Sequence, residues 1–317
     1  MERSDQVFVG PTLAAFAGAV MVGGANFVAV KYSNKELEPT WGAALRFSLA
    51  TIVFLAIARL RRVPLPSGRA FVGAALYGLL GFGLAYYFLY YALVGLTAGT
   101  SSVMIAAAPL ATLVLAVVHR QERFTTPGVI GGSLAIAGIG VLSSGSLGGD
   151  LSPLYLLSAL LGVLCIAESA VVIKAFPRAH PIATNAVGMA AGAVLLVVTS
   201  LLLGDEWALP TKAETWAAIA WLVAAGSVVL FLLYLFLIER WSASATNYIV
   251  TLMPIVAVSL GALLDDESIT IEVVIGGLLV LSAVYVGALR QQPPPLEEPS
   301  DPLAVGSPEA SERRASG

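Results

Sequence analysis

The chain has 317 residues, 58% of them hydrophobic and only 12% charged, with a mean hydropathy of +0.87; soluble domains carry about 25% charged residues, so a water-soluble globular fold is excluded. A formal net charge of −3 at pH 7 with no block of basic residues offers no surface for nucleic acid. The single Cys165 excludes an internal disulfide and a cysteine metal site.

A bilayer core about 30 Å thick takes roughly 20 apolar residues per helical crossing. Breaking the apolar runs at charge, proline and glycine clusters predicts an all-α membrane protein with ten transmembrane helices near 11–31, 41–58, 70–91, 97–118, 128–145, 153–174, 182–203, 214–238, 243–264 and 271–289. The first run lacks a small-x-small cleavage site and reads as a retained helix. It closes on "NFVAVK", with Asn26 and Lys31; the second opens on "EPTWGAALRF", with Arg46 inside it. The third carries Tyr86, Tyr87, Tyr90 and Tyr91, and the fourth Ser101, Ser102 and Pro109. Glu168 and Lys174 lie in the sixth, Tyr234 in the eighth, and Asn247, Tyr248 and Pro254 in the ninth. Residues 291–317, rich in Pro, Ser, Glu and Gly, read as a disordered tail.

Basic residues are retained on the cytoplasmic side of short loops. With the N-terminus inside, thirteen Lys and Arg fall on the cytoplasmic side and three, Lys31, Lys35 and Lys212, on the other. Both termini are therefore expected in the cytoplasm, with the chain in the cell membrane.

Shifting the chain by 145 residues lays Pro109 on Pro254, Glu122 on Glu267, Thr125 on Thr270 and Gly131-Gly132 on Gly276-Gly277 without a gap. A shift of 143 sets "NFVAVK", Asn26 to Lys31, against "SAVVIK", Ser169 to Lys174. Apolar identities would arise from composition alone, whereas these Pro, Glu, Thr and Gly matches are specific. Residues 11–145 and 153–290 are thus expected to be two five-helix repeats. An odd helix count inverts the second copy, which is the architecture of many secondary transporters.

Ten helices, "NFVAVK", "EPTWGAALRF", "APL" in helix 4, and "ERFT…GVIGG" and "ESIT…VVIGG" before helices 5 and 10 together resemble the EamA branch of the drug/metabolite transporter superfamily. The resemblance covers about residues 11–290 and implies a permease for a small organic solute such as an amino acid, metabolite or drug. It also implies alternating access through a cavity between the halves. Its partners would be the lipid bilayer and that solute, with no cofactor and no metal.

A charge near the bilayer centre costs about 2.5–3.5 kcal/mol on insertion scales, so Arg46 and Glu168 need an account. At 1.5 Å per residue they differ in depth by about 14 Å, too far for direct contact. Glu168 has valines at i+3 and i+4, and the polar residues at its depth supply no positive charge. It is expected either to carry a proton or bind a cationic group of the cargo, or else to make one structural hydrogen bond. The outer polar set of Asn26, Arg46, Tyr86, Tyr87, Ser101 and Ser102, with Tyr234, Asn247 and Tyr248 deeper, are candidates to touch substrate. Lys31 and Lys174 are candidate gates, and Pro109 and Pro254 candidate hinges. Gly128-x3-Gly132 and Gly188-x3-Gly192 have the spacing for close helix packing. His119 and His180 read as interfacial residues apart from carboxylates. Metalloprotease, serine hydrolase and P-loop signatures are absent, so no enzyme activity is expected. A lipid-translocating or structural membrane protein is the alternative reading.

Overall fold

Proline and threonine decide where the apolar runs start to coil. The computed structural model describes residues 6–121, 125–147, 153–238 and 243–286. α2 (Pro39–Leu60), α8 (Pro153–Ile173) and α9 (Pro181–Leu203) open on proline, whose missing N–H would be unpaired in a first turn anyway. α1 (Gln6–Asn34) runs through Pro11. The Thr97 hydroxyl accepts from Thr100 N at 3.0 Å and caps α5 (Ala98–Ala106). Thr125 and Thr270 accept from Gly128 N at 3.2 Å and Val273 N at 3.4 Å, starting α7 (Thr126–Leu147) and α13 (Ile271–Val284). The threonine repeated in the sequence is therefore a repeated helix cap.

The third expected run is α3 (Gly68–Gly78), a π-helical turn (Leu79–Leu84) and α4 (Ala85–Gly95). The eighth is α10 (Ala213–Val223), a second π turn (Ala224–Val229) and α11 (Leu230–Ile238). Their first residues, Leu79 and Ala224, are separated by the same 145-residue shift that aligns the sequences. The fourth run breaks at Ala107, between α5 and α6 (Ala108–Val118), with Pro109 in the first turn of α6. Pro254, by contrast, lies inside an unbroken α12 (Ala243–Leu264).

Among the described residues, seven helical stretches are long and apolar enough to cross a bilayer: Gly10–Asn34, Pro39–Leu60, Gly68–Gly95, Ala98–Val118, Pro153–Ile173, Pro181–Leu203 and Ala213–Tyr234. Thr126–Leu142, Ile249–Leu264 and Ile271–Val284 are shorter apolar helices. The expected tail lies outside the described residues. Leucines such as Leu60, Leu202 and Leu263 stand more than three-quarters exposed, an arrangement that suits hydrocarbon rather than water.

Packing joins one half to the other. α2 lies along α9 and α7 along α13, each the sequence counterpart of its partner; α4 on α8 is mirrored by α10 and α11 on α1, and α1 on α12 by α8 on α5 and α6. Glycines set the closest approach: a Cβ on Gly78 would lie 2.0 Å from the Gly188 carbonyl oxygen, and one on Gly192 would lie 2.7 Å from Phe82. Gly188-x3-Gly192 thus lets α9 meet α3 and its π turn. Gly132 faces open space, so the expected packing role of Gly128-x3-Gly132 is corrected at that residue.

Candidate functional site

The two halves enclose a cavity of about 210 Å³. Ile105 and Ala108, flanking the α5–α6 break, and Val250 and Met253 of α12 face it, each pair 145 residues from its counterpart. α1 contributes Asn26 and Phe27, α4 Tyr86 and Tyr90, and α2 Arg46; the remaining wall is aliphatic.

Arg46 is 2% exposed. Its Nε donates to Ser227 Oγ and its Nη2 to the Gly226 carbonyl, both at 3.3 Å. Its guanidinium carbon lies 5.1 Å from the ring centres of Phe47 and of Tyr86, within cation–π range. The π turn makes this docking available. The Leu230 amide bonds to Ala225 O, whereas an α-helix would send it to Gly226 O. The freed Gly226 carbonyl accepts from Arg46 and, at 3.4 Å, from Asn26 Nδ2. Ser227 Oγ donates in turn to Leu222 O at 2.9 Å. Gly226 must be glycine for this contact, because a Cβ there would lie 2.2 Å from Asn26 Oδ1. Asn26 Oδ1 is buried in the lining without a hydrogen-bond partner, and the Tyr90 hydroxyl, also buried, lies beside Arg46.

One end of the bundle is clasped. Lys31 Nζ lies 2.5 Å from Glu267 Oε1 and 2.9 Å from Asp265 Oδ2, and Lys35 Nζ lies 2.6 Å from Asp265 Oδ1. The Glu267 carboxylate also accepts from Ala98 N at 2.8 and 3.0 Å, so it closes the positive end of α5 as well. Tyr32 Oη donates to Leu264 O. Beside it, Glu36 accepts from the Thr211 and Thr215 hydroxyls and from Lys212 N. Partial burial pushes the Asp265 carboxyl up, but hydrogen bonds from Lys35 and Lys31 outweigh it and hold the group below its ordinary value. The same bond to Asp265 raises Lys35. The two threonine hydroxyls lower Glu36 to about 2. At the opposite end, His119 Nε2 lies 2.9 Å from Glu168 Oε1 and Gln121 Nε2 donates to Val171 O at 3.2 Å.

The EamA-like transporter family matches residues 11–144 and again 153–288. The chain belongs to this family. It is a multi-pass membrane protein of a transporter family, and its EamA relatives span nearly its full length. An uncharacterized inner membrane transporter of Escherichia coli K12, YedA, is 28% identical over 286 residues, covering 87% of this chain and 90% of the relative. An uncharacterized transporter of Archaeoglobus fulgidus is 26% identical over 275 residues, covering 83% and 93%. A solved crystal structure at 18% identity shares the fold of this chain, with a TM-score of 0.62 over 88% of this chain and 97% of the other.

Of the residues singled out in the sequence, the EamA cavity gathers Asn26, Arg46 and Tyr86. Tyr90, given less weight beside Tyr86 and Tyr87, also lines it, whereas Tyr87 packs edge-on to Phe88. Ser102 donates to Gly99 O at 2.7 Å, and Ser101 is buried with an unpartnered hydroxyl; neither faces the cavity. Tyr234 packs with Leu237 and Ile249, and the side chains of Asn247 and Tyr248 lie outside the described residues. Lys31 reaches the acidic loop after α12. Lys174 lies just past α8, at the end of the bundle opposite that clasp. Pro109 and Pro254 adjoin the lining residues Ala108 and Met253.

Glu168 is not among the described cavity-lining residues, and it has an imidazole partner, so the reading of His119 as standing apart from carboxylates is corrected. The cause is the break at Ala107: α6 packs on α8 as a separate rod and ends at His119, and Glu168 is only about 8 Å from the end of α8 at 1.5 Å per residue. Sequence reasoning missed Gly226, Ser227 and Asp265. Gly226 had a signal, since it aligns with Gly81 under the 145-residue shift.

Proposed function

We propose that the chain is a secondary transporter of the cell membrane that moves a small organic solute by alternating access. Ten crossings form two inverted five-helix repeats, residues 11–145 and 153–290, with both termini in the cytoplasm and the Lys31 clasp facing outside. The observation that carries this reading is a central cavity walled by both halves and flanked at one end by an ion-paired clasp between α1, α5 and the loop after α12. Separating those charges would open that end while contacts such as His119 with Glu168 hold the other. The same pair supports proton coupling through Glu168, for which Glu168→Gln transport that keeps its full pH response is the refuting result.

The test locks the clasp. In a Cys165→Ser background, Lys31→Cys and Glu267→Cys are bridged with a bifunctional thiol reagent, and counterflow of labelled amino acids and organic acids is followed in proteoliposomes. Bridging should abolish flux and reductant should restore it. Full flux in the bridged protein would overturn alternating access through this end.

A further inference from the structure

Within that transport reading, on which this inference rests, we infer that the central cavity selects net-anionic carboxylic acids with an apolar body and a neutral O–H or N–H donor beside the carboxylate, as in an apolar 2-hydroxy acid.

Among the described residues the cavity wall carries one cation, Arg46, and no aspartate or glutamate, and none of the ion pairs includes Arg46. Its recorded bonds, to Gly226 O and Ser227 Oγ, are to neutral acceptors at 3.3 Å. Those contacts and the rings of Phe47 and Tyr86 hold the guanidinium in place without cancelling its charge. A buried charge left without a counterion is costly, and an anion that can enter supplies what the fold omits. A carboxylate matches the planar guanidinium fork. Its single negative charge balances the single cation, whereas a dianionic phosphate ester would bring an uncompensated charge into an aliphatic cavity.

Two atoms of the lining complete the specification. Asn26 Oδ1 is an unpartnered acceptor, because the amide nitrogen of the same side chain is committed to Gly226 O at 3.4 Å. It calls for a donor on the solute. Tyr90 Oη lies beside Arg46, and its O–H can donate to the second carboxylate oxygen. A buried polar group left unpaired is costly, so one solute that meets Arg46, Asn26 and Tyr90 together gains from all three. A zwitterionic amino acid also carries a carboxylate, but among the described lining side chains its ammonium group would meet only neutral oxygens, those of Asn26, Tyr86 and Tyr90, and no carboxylate. Val30, Leu93, Val250 and Met253 add apolar surface to the lining for a branched aliphatic body.

Purified full-length protein in detergent is titrated calorimetrically with 2-hydroxy-4-methylpentanoate, its primary amide, leucine and a phosphate monoester of similar body. The hydroxy acid should bind, with the amide and leucine each at least about tenfold weaker, equivalent to about 1.4 kcal/mol, and the phosphate ester not at all. Arg46→Gln should erase the preference for acid over amide, and Arg46→Lys should retain part of it; the wild-type comparison stands even if the variants misfold. Equal binding of acid and amide, tighter binding of leucine, or no binding of the acid at millimolar concentration overturns the inference. Flux of the same probes in proteoliposomes separates the two readings. Leucine or amide flux without hydroxy-acid flux sinks the solute class and leaves transport standing, whereas hydroxy-acid binding without any flux sinks transport and leaves the site standing.

Discussion

The two π turns share a backbone and differ in what they hold. In both, the amide at the end of the turn reaches back to the second residue, Ala85 to Leu80 O and Leu230 to Ala225 O. This leaves the carbonyl of a glycine, Gly81 or Gly226, outside the ladder. A residue of the opposite half comes against each glycine: Ser169 of α8 on Gly81, and Asn26 of α1 on Gly226. Those two are themselves equivalent under the 143-residue shift. Only the second turn also receives an arginine. Symmetry supplies the exposed carbonyl, and a residue that breaks the symmetry supplies the charge.

The largest effect is expected from making the approach to the first turn resemble that to the second. Val223 precedes the second turn where Gly78 precedes the first, and Gly78→Val would drive side-chain carbon into the Gly188 backbone 2.0 Å away. Overpacking against backbone should cost about 3 kcal/mol or more and show as a large drop in thermal midpoint and folded yield in detergent. Gly226→Ala comes next: displacing Asn26 and misaligning Arg46 should remove most solute binding and about 1–3 kcal/mol of stability, and binding at the parental level would refute the role of the freed carbonyl. Gly81→Ala should be milder, within about 1 kcal/mol, because the Ser169 hydroxyl 2.9 Å from the new methyl can rotate away. The smallest effect concerns pH. Asp265 and Glu36 are held below ordinary carboxylate values, Glu36 at about 2, and Lys35 above its ordinary value. Their stabilisation of the Lys31 end is therefore lost only as pH falls through those depressed values or rises through the raised lysine value. Cross-linking efficiency of the Lys31→Cys, Glu267→Cys pair should depend on pH between 5 and 8 only through thiol reactivity, with no change in the distance between the two sites.

Much of the frame could be read from the residues. Thr125 and Thr270 align because each caps a helix, and Pro109 and Pro254 align because each lies beside cavity residues 145 apart. Arg46 stood out because a charge in an apolar run demands a partner. The π turns were hidden, since shifting one backbone bond leaves no periodic trace in side chains. Pairing of Glu168 with His119 depended on where α6 ends relative to α8, a tertiary fact that depth counting along straight helices could not supply. Lys31 was legible as a helix-end cation, but its carboxylate partner Glu267 lies 236 residues away, beyond any local pattern.

Hydrogen bonding five residues back widens a turn by one residue relative to an α-helix, and the widening falls at the same register in both halves, beginning at Leu79 and at Ala224. Arginine occurs at the buried depth of α2 and nowhere in its partner α9. The two halves thus hold one backbone device in common, and only one of them sets a charge on it.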